Sequence, residues 1–381
     1  MPKLLGSLFR SNPRYELIVF DRLTAEERQS LSQLAKDPGF YGILRPLEGS
    51  DLGLKSVDRD TALLFLTLRE PAALPRYARE SLGEAAARTV SRLVADGVLE
   101  IEDGGEFVSG AAASGLLDAG GKGQAAGQLA ELSLAALRYG QALSLGDPVQ
   151  LSWRLYTYHH RPLTPRWKRL LATPEAVQRF LGIASGGVSR RSLDRSWTPT
   201  GAAPWLSWRA RPRGSGEGSV SGGTTWKLYV SPLPEALPEG FGAVLDALTA
   251  GRADRFKVGA DAAGLLRPDK IVAYFPSFER LAQAADVVLR RLGGAPAQGV
   301  PFTSEIGGAG LVSWGVDPAA ETPWSEGASW RLWLTSRLAR ALLSARSGAG
   351  GVEPWQFALD RIRLEGVDTD TWTPGALVWR E

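Results

Sequence analysis

The sequence predicts an α+β protein, with a small N-terminal module followed by a larger mixed α+β domain. Three observations predict it. The 381 residues exceed the ~100–200 of one ordinary domain. Apolar residues at helical spacing alternate along the chain with short runs of two-residue periodicity. A small, Gly-rich stretch at 111–124 (AAASGLLDAGGKGQ) separates two parts that each carry such elements. The expected division is 1–110, a linker at 111–124, and 125–381, in which 125–225 is helical and loop-rich and 226–381 is the core.

In the first part, 15–20 (YELIVF) reads as a strand and 24–35 (TAEERQSLSQLA) as a helix capped by its Thr. Residues 41–47 (YGILRPL) and 52–57 (LGLKSV) read as paired strands around a turn at 48–51, and 60–68 (DTALLFLTL) as a helix starting at an Asp N-cap, Asp60. After 74–81 (LPRYARES), a helix carrying Ala87, Val90, Leu93 and Val94 ends at Gly97 and runs into a hairpin turning at Asp103, Gly104 and Gly105. This is a winged-helix pattern. Winged helices commonly bind DNA through a basic helix, but here Arg88 and Arg92 are set against Glu84 and Asp96, which leaves peptide binding as an equal alternative. The order of strands, helices and closing hairpin resembles the precursor-recognition element of enzymes that modify ribosomally made peptides. That resemblance implies an extended leader peptide added to a sheet edge.

In the second part, Leu129, Leu132, Leu137 and Leu143 define a helix, 153–167 (WRLYTYHHRPLTPRW) is aromatic and basic, and Thr173 and Pro174 open another helix. The polar stretches 189–201 (SRRSLDRSWTPTG) and 210–225 (ARPRGSGEGSVSGGTT) read as mobile connections. From 226 the apolar periodicity returns. WKLYV at 226–230 is a strand, 231–248 a turn and helix, RFKV at 255–258 a strand, and the RPD turn at 267–269 leads into a strand ending at Tyr274 and Phe275. A helix with Leu281, Ala285, Val288 and Leu289 follows, with Pro296 closing its connection. After 301–318 (PFTSEIGGAGLVSWGVDP), a last helix begins around Ser325 with Trp330, Leu334, Leu338 and Leu342 on one side.

Composition removes many chemistries. Without Cys there is no disulfide, thiolate metal site or cysteine nucleophile, and two His leave almost no imidazole for a metal or a catalytic triad. No apolar run reaches ~18 residues and the start lacks a secretory pattern, so a cytoplasmic protein away from membranes is expected. Lys and Arg (44) nearly balance Asp and Glu (41) without basic runs, so charge alone argues little about partners, and a nucleic-acid partner is not expected. GGAGLVSWG at 307–315 has no phosphate-loop register. His159 and His160 would point apart on a strand. Trp205, Trp208, Trp372 and Trp379, in loop-like sequence, suit surface recognition.

Lysine is informative because only eight occur, and Lys227, Lys257 and Lys270 fall in one segment. Positions keeping Lys in an Arg-rich chain suit an amine that releases its proton; chance clustering, with Lys270 solvated, is the plain alternative. Several pieces of this segment occur in order. They are Trp226-Lys227-Leu228-Tyr229, Phe256-Lys257, Arg267-Pro268-Asp269 before a strand ending in Tyr274, Pro301-Phe302-Thr303, Asp317-Pro318, and a helix start before Arg331. Together they resemble the HopA-type effector family and the phosphothreonine lyases that include the lyase domains of class III lanthipeptide synthetases.

The resemblance implies a lyase-like α+β domain that eliminates phosphate from phosphothreonine or phosphoserine in a precursor peptide, as a step of lanthipeptide-like maturation. It implies Lys227 as base, Tyr229 standing where the family has a general-acid His, Tyr274 as a supporting hydroxyl, and Lys257, Arg267 and Arg331 around the phosphate. No cofactor and no metal are implied, and a separate kinase would supply the phosphate. Arg267 and Asp269 paired at a turn, and Tyr229 as a core aromatic, are the structural alternatives. A non-catalytic peptide-binding scaffold and a winged-helix DNA-binding regulator are the functional ones.

Overall fold

The computed structural model describes residues 2–32, 34–49, 52–117, 125–201, 204–212, 225–317, 329–346, 351–375 and 378, and its interleaved helices and strands give the expected α+β fold. The chain divides into two units, Met1–Lys122 with Leu338–Gly366, and Gly123–Arg337 with Val367–Glu381.

The first unit holds β1 (Leu8–Ser11), β2 (Tyr15–Val19), β3 (Phe40–Pro46), β4 (Lys55–Asp58), β5 (Ala72–Ala73), β6 (Leu99–Asp103) and β7 (Glu106–Val108). They form a β2-β3-β4 sheet and a β5-β1-β6-β7 sheet. Thr24 caps Ala25–Ser30 in a capping box with Glu27. The next helix, Arg59–Thr67, starts ahead of the expected cap at Asp60. Asp58, extended at the end of β4, accepts a hydrogen bond from Thr61 N at 2.7 Å and is the cap. Ala86–Ala95 buries Ala87, Val90, Leu93 and Val94, then reverses at Gly97, whose φ of 69° suits glycine. The β6–β7 hairpin follows where it was expected. Of the stretch read as a linker, Gly110–Leu116 is a 3-10 helix burying Ala111 and Ala113, and 118–124 lie outside the described residues. The helix Pro354–Leu364 joins this unit through Arg361, which grips Asp96 with two hydrogen bonds of 2.7 and 2.8 Å.

The second unit is organised by a seven-stranded antiparallel sheet. Its strands are β8 (Trp197–Gly201), β9 (Trp205–Ala210), β10 (Thr225–Val230), β11 (Arg255–Gly259), β12 (Ile271–Phe275), β13 (Ser304–Ile306) and β14 (Val312–Asp317), in the order β13-β14-β10-β12-β11-β9-β8. The stretch 189–201, expected to be mobile, is instead the helix Arg190–Ser196 and the edge strand β8, where Pro199 is tolerated. The Gly/Ser-rich 213–224 lie outside the described residues. Two of the four tryptophans expected at the surface are structural, and Trp205 is half-buried. Trp208 stacks on Phe256 at 4.9 Å and Trp372 meets Phe302 edge-on at 5.1 Å, both indoles buried. Trp379 lies outside the described residues.

Because side chains alternate across a strand, one face of this sheet sends Leu228, Val230, Phe256, Val258, Ile271, Ala273 and Phe275 into the core beneath the helices Leu237–Ala250 and Phe278–Leu292. Lys227, Tyr229, Lys257, Val272 and Tyr274 therefore project from the opposite face. Gln128–Ala142 buries Leu129 and Leu137, and Thr173 caps Pro174–Phe180. The helix Trp330–Arg346 runs from this unit into the first, to which its residues from Leu338 belong, and Trp330, Leu334, Leu338 and Leu342 are fully buried; Ser325, where it was expected to begin, lies outside the described residues. A short ribbon pairs β15 (Val367–Asp368) with β16 (Thr373–Pro374). Among the described residues no helix is long and apolar enough to cross a membrane.

Candidate active site

The register fixes which polar side chains meet. Lys227 on β10 lies opposite Tyr274 on β12 and Gly315 on β14, and Tyr274 lies opposite Arg255 on β11. One step along, Tyr229, Val272, Lys257 and Ser207 form the next row across β10, β12, β11 and β9. Two amines distant in sequence thus share one sheet face.

The loop before β12 adds a charged anchor. Asp269 is buried and receives a forked pair from Arg267, at 2.8 and 2.9 Å, with Arg331 Nη1 at 3.0 Å and the Tyr156 hydroxyl at 3.2 Å. Burial pushes the Asp269 carboxyl up, but the two guanidinium groups outweigh it and hold the acid far below the usual range. Arg331 is 1% exposed; it is ion-paired with Asp269 and donates to the carbonyls of Pro301 (3.2 Å) and Tyr156 (2.8 Å). The Pro301 carbonyl is set by Phe302, held at a left-handed φ of 62° by hydrogen bonds with Ser133 and Trp330. Arg331 thus sits behind Asp269, its Nε and Nη2 bonded to backbone carbonyls and its Nη1 beside the Asp269 carboxylate, while the Arg267 side chain stays 25% exposed.

The two amines differ. Lys227 Nζ forms an ion pair with Asp317 and lies 5.3 Å from the Tyr274 ring. Lys257 Nζ lies 4.2 Å from the Trp205 ring. Burial, then the neighbouring Lys227 ammonium, pulls the Lys257 amine down to about 8. Tyr229 is 3% exposed and packs with Val272 and Val300; burial first, then Asp317, raises its hydroxyl well above the ordinary value. Tyr274 is also raised, chiefly by burial, but remains partly exposed. All six expected site residues belong to one neighbourhood, with Tyr229 and Arg331 in its floor.

Other groups there carry weight as well, among them the Arg267–Asp269 pair expected at the turn and Tyr156, which the sequence did not single out. Asp317 and Asp269 pair the cations, Tyr156 donates to Asp269 while its ring lies beneath Arg267 and Arg331, and the Trp205 ring carries Lys257 and Arg267. Alternation can place Lys227 and Tyr229 together, but no spacing rule links them to Tyr156. His159 and His160 lie in a turn rather than on a strand, with His159 at φ 68°, and the exposed His160 feels the charges of Asp269, Arg267 and Arg331. Lys270 is fully buried rather than solvated. It donates to Pro232 O at 2.9 Å and Gln298 Oε1 at 2.7 Å, and burial pulls its amine down to about 7.

Among the described residues no group of His, Asp and Glu could hold a metal ion. A hollow of about 180 Å³ lies elsewhere, between the helix Arg190–Ser196 and the β8–β9 hairpin.

No family model and no curated protein sequence matches the chain. Solved structures similar to it include an effector protein from Pseudomonas syringae pv. tomato strain DC3000, at 13% identity and a TM-score of 0.34 over 64% of this chain and 98% of that one. They also include the type III effector and phosphothreonine lyase OspF from Shigella flexneri, at 12% identity and a TM-score of 0.28 over 40% and 90%. The phosphothreonine lyase SpvC, an effector from Salmonella, matches at 11% identity and a TM-score of 0.28 over 55% of this chain and 97% of that one. At these scores the likeness carries no inference about this chain, whose chemistry rests on its own residues.

Proposed function

We propose that the chain is a lyase acting on phosphothreonine or phosphoserine in a peptide, by β-elimination of phosphate, during maturation of a ribosomally made peptide in the cytoplasm. The observation that carries this reading is an amine pulled down to about 8, Lys257, beside a second amine on one sheet face and the partly exposed guanidinium of Arg267 from the loop before β12. Elimination needs a base for a weakly acidic Cα proton and cations for the departing phosphate. Of the two amines Lys257 is the better base. Lys227, which the family resemblance casts as base, is ion-paired with Asp317 and serves as a cation instead.

In the step, Lys257 Nζ takes the Cα proton, the C–H electron pair becomes the Cα=Cβ bond, and the Cβ–O bond breaks. Phosphate leaves with the Cβ–O electron pair, held by Arg267 and Lys227, and its oxygen takes a proton from the Tyr274 hydroxyl, which solvent restores. Arg331 and Asp269 position Arg267. A separate kinase supplies the phosphate, and the first unit, with its winged-helix-like helix and hairpin, binds the leader of the precursor.

Incubation with a phosphothreonine peptide, followed by mass spectrometry, tests the reading. Loss of phosphoric acid with wild type, and none with Lys257→Ala, is expected; no loss with wild type overturns it. A non-catalytic peptide-binding scaffold is the second reading, favoured by the burial of Tyr229 where the family resemblance places an acid. Peptide binding without elimination would support it.

A further inference from the structure

Trp205 has no part in the chemistry above. It stands half-buried at the start of β9, whose Trp208 is a core residue. The register sets Trp205 opposite Gly259 and Ser207 opposite Lys257. Trp205 and Lys257 are therefore diagonal neighbours on one face, within reach of a large side chain. Gly259 contributes no side chain there. A Cβ on it would stand 2.3 Å from the carbonyl carbon of Gly264, and this close approach lets the turn Ala262–Leu265 fold against β11 and deliver Arg267.

Two cations consequently lean on the indole, Lys257 Nζ at 4.2 Å and Arg267 Cζ at 5.0 Å from its centre. Both lie within the ~6 Å over which a ring quadrupole attracts a cation. The rings of Tyr274 and Tyr156 also carry cations, but Trp205 is the ring that joins Lys257 to Arg267. A carboxylate in its place would also gather two like charges, but it would fix the Lys257 proton in a salt bridge. An aromatic face offsets the repulsion between the cations and leaves the amine able to exchange its proton.

The geometry points to Trp205 as a positioning residue, whose indole holds Lys257 and Arg267 side by side and so sets the distance between the proton acceptor and the phosphate-facing guanidinium. What those two cations do rests on the lyase reading, but their being held by the indole does not. The charged groups facing Lys257 are Lys227 on β10, Asp317 on β14, and Arg267 and Asp269 before β12.

The test uses the full chain with isotope-labelled lysine in wild type, Trp205→Phe and Trp205→Leu, following each side-chain amine by NMR across pH. Only eight lysines are present, and Lys257→Arg identifies the relevant signal. Loss of the ring removes an interaction that favours the ammonium. The Lys257 midpoint should fall by about half to one pH unit in the Leu variant, with Phe between. In the same series the KM for a phosphothreonine peptide should rise several-fold as Arg267, still bonded to Asp269, loses the ring that sets it beside Lys257, with the pH limb of kcat following the Lys257 midpoint. Folded variants that both titrate Lys257 as wild type does would overturn the proposal; if the Leu variant does not fold, the Phe variant alone decides. If wild type eliminates nothing yet the midpoint follows the order Trp, Phe, Leu, the positioning role stands and the lyase reading falls.

Discussion

Asp269 is the residue on which the cation cluster depends, because it is the anion shared by Arg267 and Arg331. A buried carboxylate with two guanidinium partners gains little over apolar packing, but removing one partner strands a charge away from water. Asp269→Asn leaves Arg331, 1% exposed, without its anion. The expected loss of about 3–5 kcal/mol, read by urea denaturation, is of the size seen when buried pairs are broken. Arg331→Met should cost less, since Asp269 keeps Arg267. Trp372 provides a contrast. Its buried Nε1–H finds no acceptor among the described residues, so its indole contributes packing against Phe302 with an uncompensated donor. Trp372→Phe should leave the melting temperature unchanged or slightly higher, and a large drop would show a missing partner for that N–H.

Among the elements, β14 and the helix Trp330–Arg346 meet where a residue without a side chain is required. A Cβ on Gly315 would lie 2.4 Å from the Trp330 ring, whose Nε1 donates to Phe302 O at 3.1 Å and whose backbone N reaches Asp317 at 2.9 Å. Gly315→Ala should displace that indole and cost about 1–3 kcal/mol, as overpacking does. With Asp317 disturbed, Lys227 loses its partner as well, so activity should fall along with thermal stability. The sequence disclosed these elements unevenly. Strands β10, β11 and β12 were legible because WKLYV, RFKV and KIVAYF are β-rich runs bounded by turn residues. Strand β8 was not, because Thr-Pro-Thr-Gly carries loop signals and its pairing comes from β9. The amines of the site were legible as rare residues in matched order. Tyr156 was not, since it belongs to a separate helix and reaches Asp269 only through tertiary packing.

At the scale of the whole molecule, two buried amines couple stability to pH. Lys257 and Lys270 are lowered in the folded protein to about 8 and about 7, in both cases mainly by burial, while an unfolded lysine titrates near ~10.4. Between these limits the unfolded chain binds more protons than the folded one, so unfolding becomes harder as pH rises. The gain begins near pH 7, where Lys270 loses its proton, steepens near 8 with Lys257, and ends above the unfolded lysine value. Below about 7 both amines are charged in both states and contribute no slope. Urea denaturation at intervals from about pH 6 to 10 should show this rise superimposed on the other titrations. Comparison with Lys270→Met isolates one part of it, because the variant lacks the buried amine while keeping an unbranched side chain in the same space. Its stability should fall relative to wild type at about pH 10, where the neutral amine still donates to Pro232 and Gln298, and the difference should narrow toward about pH 6, where wild type bears a buried charge. A difference that stays constant across that range would mean that Lys270 titrates alike in both states, and the coupling would then have to come from Lys257 alone.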